Sequence, residues 1–292
     1  MRFLKKYVKP LIGFIFKIQA QKTITRLCRK SELYQKTLGD TLKETLENNI
    51  TQEEQIWIDR IQSLKMKLES STEKLQLTDY GARKILDPNV YDQEIEFGRT
   101  VTTSVGEKCK NGSELYFWVL ILFKLIRKFK PSSCIELGTC MGMSASMQAS
   151  ALHLNGDGKM VTLEGAEPLA SIAKMNFQTL GLNNIEVVVG RFQDTLIKVL
   201  KKNAPIDYVF IDGHLDGLAT ITYIEQIIPY CKNKTILIID NISWSKNMKK
   251  VWKYIKTNNR IRITFNLRQL GICIIENKNL KKQHYSIPLL SS

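Results

Sequence analysis

Beyond Pro131 the chain alternates short apolar, β-branched runs with helix-like segments, and nothing else in the sequence narrows the fold as much. The runs fall at residues 134–137, 160–164, 185–189, 208–211, 236–239, 262–267 and 272–275. Helical patterns fill the gaps at 144–154, 168–180, 195–202, 219–230 and 246–256. Runs of near-continuous Val, Ile and Leu predict strands buried on both faces, and strand–helix–strand repeats predict parallel pairing. The last two runs are joined across Arg268 and Gln269, too short for a crossover, so they predict a hairpin that adds one antiparallel strand. The expected fold is α/β: a seven-stranded, mostly parallel sheet covered on both faces, with a C-terminal antiparallel hairpin. Ligands of such sheets bind at the carboxyl ends of the strands, near the point where strand order reverses.

The region before this repeat has a different texture. Residues 5–74 contain few Gly or Pro and read as two or three amphipathic helices, with Ile56, Ile61, Leu64 and Leu68 predicted on one face. Residues 78–113, punctuated by Gly81, Asp87-Pro88, Gly98, Gly106 and Asn111-Gly112, read as connecting loops. Helix character returns over 113–129, with Leu115, Trp118, Val119, Leu122, Phe123 and Ile126 facing inward, until Pro131 stops it.

The formal net charge of +15 is confined to the ends. Residues 1–31 hold nine Lys or Arg and no acid, residues 246–292 hold eleven against Glu276 alone, and the middle is mildly acidic. A basic surface spread over the whole chain for nucleic acid is therefore not expected. The basic start, with Phe3, Leu4, Tyr7, Leu11, Phe14 and Ile15, offers an amphipathic arm that either docks on its own domain or lies on an anionic membrane surface. Its apolar stretch at 11–16 is too short for a signal peptide, and the six cysteines show neither C-x-x-C nor zinc spacing, so the expected location is cytoplasmic.

The strand ends carry the chemistry. The first reads Glu136-Leu137-Gly138-Thr139-Cys140-Met141-Gly142-Met143-Ser144, two glycines four apart where a strand turns into a helix. Such a turn lets backbone approach a ligand closely and points helix N–H groups at it. The second strand ends in Glu164, an acid placed to grip ribose hydroxyls. The fourth and fifth end in Asp212-Gly213-His214 and Asp240-Asn241. Two carboxylates at neighbouring strand tips call for a positive partner, and an all-oxygen set of Asp212, Asp240 and Asn241 suits Mg²⁺ or Ca²⁺. The alternative is that Asp212 contacts the ligand directly while Asp240 holds loop backbone.

From Ser113 to Glu276 these motifs resemble the class I S-adenosylmethionine-dependent methyltransferases, whose Rossmann-like sheet matches the one predicted. The E-L-G-T-x-x-G-x-S string is similar to that of the catechol and caffeoyl-coenzyme A type O-methyltransferases. The resemblance implies that Glu136, Gly138, Gly142 and Ser144 hold the methionine part of the cofactor and Glu164 its ribose. It implies that Phe192 and Gln193, in Val189-Gly190-Arg191-Phe192-Gln193-Asp194, hold the adenine, and that Asp212, Asp240 and Asn241 hold a metal. Where catechol enzymes carry a Lys, this chain has Leu215, which argues against a catechol; His214 is then the available base, or else a structural loop residue. Thr78-Asp79-Tyr80-Gly81-Ala82 and Asp240-Asn241-Ile242-Ser243-Trp244-Ser245-Lys246-Asn247-Met248 look like a second group, uncharacterised bacterial class I methyltransferases.

The resulting domain reading is a basic amphipathic arm over 1–31, a helical cap with loops over 32–112 and a methyltransferase domain over 113–292. The expected activity is O-methyl transfer from S-adenosylmethionine to a hydroxyl or carboxyl of a small-molecule or glycan-like acceptor. The competing readings are a nucleic-acid methyltransferase, disfavoured because 211–214 lacks the N/D-P-P-Y/F tetrad, and a non-catalytic membrane-surface protein.

Overall fold

The computed structural model describes residues 2–81, 97–112, 116–214, 216–276 and 281–289, with residues 2–14 described by their backbone. Ala82, Asp87-Pro88, Ser113, Leu115 and Leu215, and the side chains of Phe3, Leu4, Tyr7, Leu11 and Phe14, lie outside the described residues. Three helices come first, α1 (Arg2–Cys28), α2 (Leu33–Leu46) and α3 (Gln52–Glu69), followed by a hairpin of β1 (Lys74–Asp79) and β2 (Arg99–Ser104). Next come α4 (Val105–Gly112) and α5 (Tyr116–Phe129). The repeat then runs β3 (Ser133–Leu137), α6 (Met143–Asn155), β4 (Lys159–Glu164), α7 (Glu167–Leu180), β5 (Ile185–Val189), α8 (Phe192–Asn203), β6 (Ile206–Ile211), α9 (Gly217–Ile227) and β7 (Cys231–Ile239). It closes with α10 (Lys246–Thr257), β8 (Ile261–Asn266), β9 (Gly271–Ile275) and β10 (Gln283–Ser286).

The main sheet has the order β10-β8-β9-β7-β6-β3-β4-β5. Strand β9 inserts antiparallel between β7 and β8, as the short connection requires. An eighth strand, β10, was not expected; it pairs parallel with β8 at the edge. The pleat sends alternate residues to two cores. Tyr208 and Phe210 of β6 face α5 and α6, whereas Val209 and Ile211 face α8, α9 and α10. The polarity of strand order reverses between β3 and β6, and this is where the two glycine-bearing strand ends meet.

The N-terminal helices add to the first of these cores. Ala20, Ile24 and Leu27 of α1, spaced by four and three, are buried with Leu38 and Leu42 of α2 against α5. In α3 Ile61 is buried and Leu64 and Leu68 are packed inward as predicted, but Trp57 and Ile58 are buried in place of Ile56, which is 54% exposed. Its start is fixed by a capping box, in which Thr51 accepts from the Glu54 N–H and Glu54 accepts from the Thr51 N–H. The Glu54 carboxylate also meets Lys124 of α5 at 2.6 Å, both side chains buried, which ties the cap to the sheet layer. Among the described residues, no helix is long and apolar enough to cross a membrane.

Candidate functional site

The end of β3 is held from behind by a buried polar network. Glu136 accepts hydrogen bonds from Ser144 Oγ at 2.9 Å, Gln148 Nε2 at 2.8 Å and Thr162 Oγ1 at 2.6 Å. Tyr208 donates to the Gln148 carbonyl oxygen at 2.8 Å, and Thr139 and Thr162 share a 2.6 Å bond. Burial outweighs these donors and pushes the Glu136 carboxyl up to about 7. The network fixes the first turn of α6 to β3 and β4, and so fixes the 138–144 turn between them.

Gly138 has φ of +108°, and a Cβ there would lie 2.5 Å from the Asp212 carbonyl oxygen. A side chain at this position is excluded both by conformation and by the approach of the β6 end. The two strand tips therefore close on each other, with the Asp212 N–H donating to the Leu137 carbonyl at 2.9 Å.

In front of the turn lies a cavity of about 400 Å³. Gly138, Ser144, Glu164, Phe192, Gln193, Asp212, His214 and Asn241 line it, so residues from five strand ends converge. Glu136, Gly142 and Asp240 stand behind this lining. Glu136 supports the turn through Ser144, and Gly142 opens α6 with φ of +81°. The cavity also takes in residues to which the sequence assigned no role: Lys108 and Asn111 from α4, Tyr80 and Gly81 after β1, and Tyr223 from α9. Tyr80 lies within the D-Y-G-A string; Lys108, in a segment read as loop, carried no signal.

Glu164 is half-buried, and its two oxygens accept from the Cys140 N–H at 2.7 Å and the Ala166 N–H at 2.9 Å. Each oxygen keeps a further acceptor direction. Burial raises this carboxyl and the two N–H groups oppose the rise. Tyr80 packs directly on the next residue, because a Cβ on Gly165 would meet its ring at 2.8 Å.

His214 places Nδ1 at 2.8 Å from the Tyr223 hydroxyl. Burial lowers the imidazole below its usual range and lifts the Tyr223 phenol to about 12, so both are neutral at physiological pH. His214 Nε2 is buried with no hydrogen-bond partner among the described residues, an exception to the rule that buried polar atoms are satisfied. In the tautomer whose Nδ1–H donates to the Tyr223 oxygen, Nε2 is the basic nitrogen.

The expected metal ligands lie at adjacent strand ends but at different depths. Asp212 and Asn241 line the cavity, but Asp240 is fully buried behind it and its carboxylate accepts from the Asn241 amide. Among the described residues, no three His, Cys, Asp or Glu side chains gather where they could hold a metal ion. A hard divalent cation needs several oxygens open to one point, and of the three expected ligands Asp212 and Asn241 line the cavity while Asp240 does not.

Residues 135–242 match a family model described as a methyltransferase domain. Those residues form a methyltransferase domain. The matched span runs from β3 to just past β7 and contains the five main-sheet strand ends that line the cavity. The chain is also 29% identical to the catechol O-methyltransferase of Mus musculus over 42% of this chain and 46% of the mouse protein. It is 27% identical to protein-L-isoaspartate O-methyltransferase 2 of Archaeoglobus fulgidus over 43% of this chain and 54% of that one. The chain thus spans about half the length of the curated relatives it matches. Among solved structures, it is similar to the O-methyltransferase TomG of Streptomyces achromogenes, involved in tomaymycin synthesis and solved with SAM. That likeness has a TM-score of 0.50 at 18% identity, covering 57% of this chain and 82% of TomG. At that identity it bears on the fold of the methyltransferase domain alone.

Proposed function

We propose that the protein is an S-adenosylmethionine-dependent methyltransferase that acts on an oxygen, a hydroxyl or carboxyl, of a small-molecule or glycan-like acceptor. One observation carries the reading: the glycine turn, Glu164 and His214 line the same cavity, at the strand-order reversal. Its volume lies within the roughly 300–1,000 Å³ usual for small-molecule sites. When bound, S-adenosylmethionine supplies an electrophilic methyl group on a sulfonium.

In this reading, Gly138 and the first turn of α6 admit the amino-acid end close to backbone N–H groups. Glu164 accepts from the ribose hydroxyls, and Phe192, held edge-on by Tyr223 at 5.6 Å, flanks the adenine with Gln193. Asp212 lies beside the sulfonium, where a carboxylate offsets its charge. In-line displacement needs the acceptor oxygen held on the far side of the methyl, which is the task of the cavity wall at His214 and Asn241. His214 Nε2 takes the proton of a hydroxyl acceptor, while Tyr223 holds Nδ1 and so fixes the ring. A carboxyl acceptor is already ionised near neutrality and needs no base.

Because Asp240 is withdrawn from the cavity, proton removal is assigned to His214, and no step depends on Mg²⁺ or Ca²⁺. The relatives named for O-methyl transfer support an oxygen acceptor, and none of the six cysteines forms a disulfide, which fits the cytoplasm. The test is calorimetric titration of S-adenosylhomocysteine into the wild type and Glu164→Ala. The wild type should bind and the variant should bind at least about tenfold more weakly, since a charged hydrogen-bond acceptor is removed. Equal affinities overturn the ribose assignment.

A further inference from the structure

The cavity holds charges beyond those that the reading above uses. Its lining includes the acids Asp79, Glu164 and Asp212 and the bases Lys108 and Arg191. Arg191 is engaged by Asp194, with Nε 2.7 Å from the carboxylate. Lys108 is half-buried on α4, and among the described residues its ammonium has no ion-pair or hydrogen-bond partner. Its charge is felt at Glu164 and Cys140, two residues joined by the Cys140 N–H bond to Glu164. Lys108 therefore stands over the corner where the glycine turn meets the end of β4.

The helix that carries it is firmly seated. A Cβ on Gly106 would lie 2.6 Å from the carbonyl oxygens of Glu69 and Ser71, so α4 starts in direct contact with the end of α3. Val105 and Cys109 are buried with Leu75 and Leu77 of β1 and Met141 of the turn. At the other end, a Cβ on Gly112 would lie 3.0 Å from Cys140 Sγ, which brings the last turn of α4 against the glycine turn itself. A lysine on such a base is held in place before any ligand arrives.

Building on the S-adenosylmethionine reading, we propose that Lys108 binds the amino-acid carboxylate of the methyl donor. The donor carries two cations, its sulfonium and its α-ammonium, and a single anion. The acidic lining complements the cations, and the carboxylate needs a positive partner near the glycine turn, where Lys108 is the ammonium on offer. Asn111, one turn further along the same face of α4, adds an amide donor to that corner.

The test uses the full chain as wild type, Lys108→Gln and Lys108→Arg, titrated with S-adenosylhomocysteine and with 5′-methylthioadenosine. The second ligand keeps the adenosine and thioether and lacks the carboxylate and ammonium. Lys108→Gln should weaken S-adenosylhomocysteine binding by about tenfold to a hundredfold. Lys108→Arg should recover most of the loss, and 5′-methylthioadenosine should bind all three proteins alike. Unchanged S-adenosylhomocysteine affinity in Lys108→Gln overturns the proposal, and so does an equal loss for both ligands, which marks a general disturbance of the cavity. Failure of the wild type to bind either ligand is a separate result: it removes the S-adenosylmethionine reading on which the proposal stands.

Discussion

Replacing Glu136 with glutamine tests whether the cofactor turn rests on a carboxyl that changes charge near neutrality. Three side chains donate to it, yet burial dominates and lifts it from 4.5 to about 7. Between those values the folded chain keeps a proton that the unfolded chain has released. The stability tied to the protonated form is therefore complete below the unfolded value and is lost as the pH rises through about 7. The window spans about 2.5 pH units, the difference between 7 and 4.5. At about 1.4 kcal/mol per unit, the loss is roughly 3 kcal/mol. Glutamine preserves the shape and cannot ionise, and the hydroxyls of Ser144 and Thr162 can rotate to meet its amide. Urea unfolding followed by tryptophan fluorescence, at steps from about pH 5 to about pH 8, gives the stability of each protein. The difference, wild type minus Glu136→Gln, should fall by roughly 3 kcal/mol across that range. A difference that stays flat, or that grows with pH, refutes the account of a buried, protonated Glu136.

Three further outcomes follow from the same geometry. His214→Asn should lower kcat on a hydroxyl acceptor by about 10²–10⁴ while S-adenosylhomocysteine affinity stays within a few-fold, and the wild-type rate should rise with pH and level off below the usual histidine range, because burial lowers the imidazole. Gly165→Val should push the Tyr80 ring off the cavity wall, read as faster proteolysis of the β1–β2 hairpin and weaker S-adenosylhomocysteine binding with an unchanged thermal midpoint for the main sheet. Turnover measured with and without a chelator should be equal, and a loss restored by Mg²⁺ would contradict the withdrawal of Asp240 from the cavity.

The parts of the fold legible in the sequence are those where burial leaves a strong pattern. Most of the strands β3 to β9 are rich in apolar residues, so they stand out as runs, and the four residues between β8 and β9 are too few for a crossover and dictate a hairpin. The β1–β2 hairpin was missed because its outer strand, Arg99–Ser104, is polar and largely exposed, and Leu75 and Leu77 alternate over too few residues to register. The four-residue β10 shows only half-burial, and its pairing depends on distant β8. In α3 the predicted stripe holds at Ile61, Leu64 and Leu68 and fails at its first turn, where Trp57 and Ile58, rather than Ile56, are buried.

The candidate site was legible where the backbone turn dictates residue type, as at Gly138, and where an acid ends a strand, as at Glu164. Depth was not legible. Glu136, Asp240 and Glu164 are all acids at strand ends, but only tertiary packing decides that Glu164 faces the cavity while the other two are buried behind it. Lys108 was invisible for a related reason: its role comes from where α4 docks, not from its neighbours in sequence.

The central claim is that this cavity is the methyl-donor site. A crystal structure of the full chain grown with S-adenosylhomocysteine tests it most directly. The account predicts ligand density in front of the 138–144 turn, with the ribose hydroxyls on the Glu164 carboxylate and the sulfur between Asp212 and His214. Ligand bound elsewhere on the chain, or a ribose that does not touch Glu164, would contradict it.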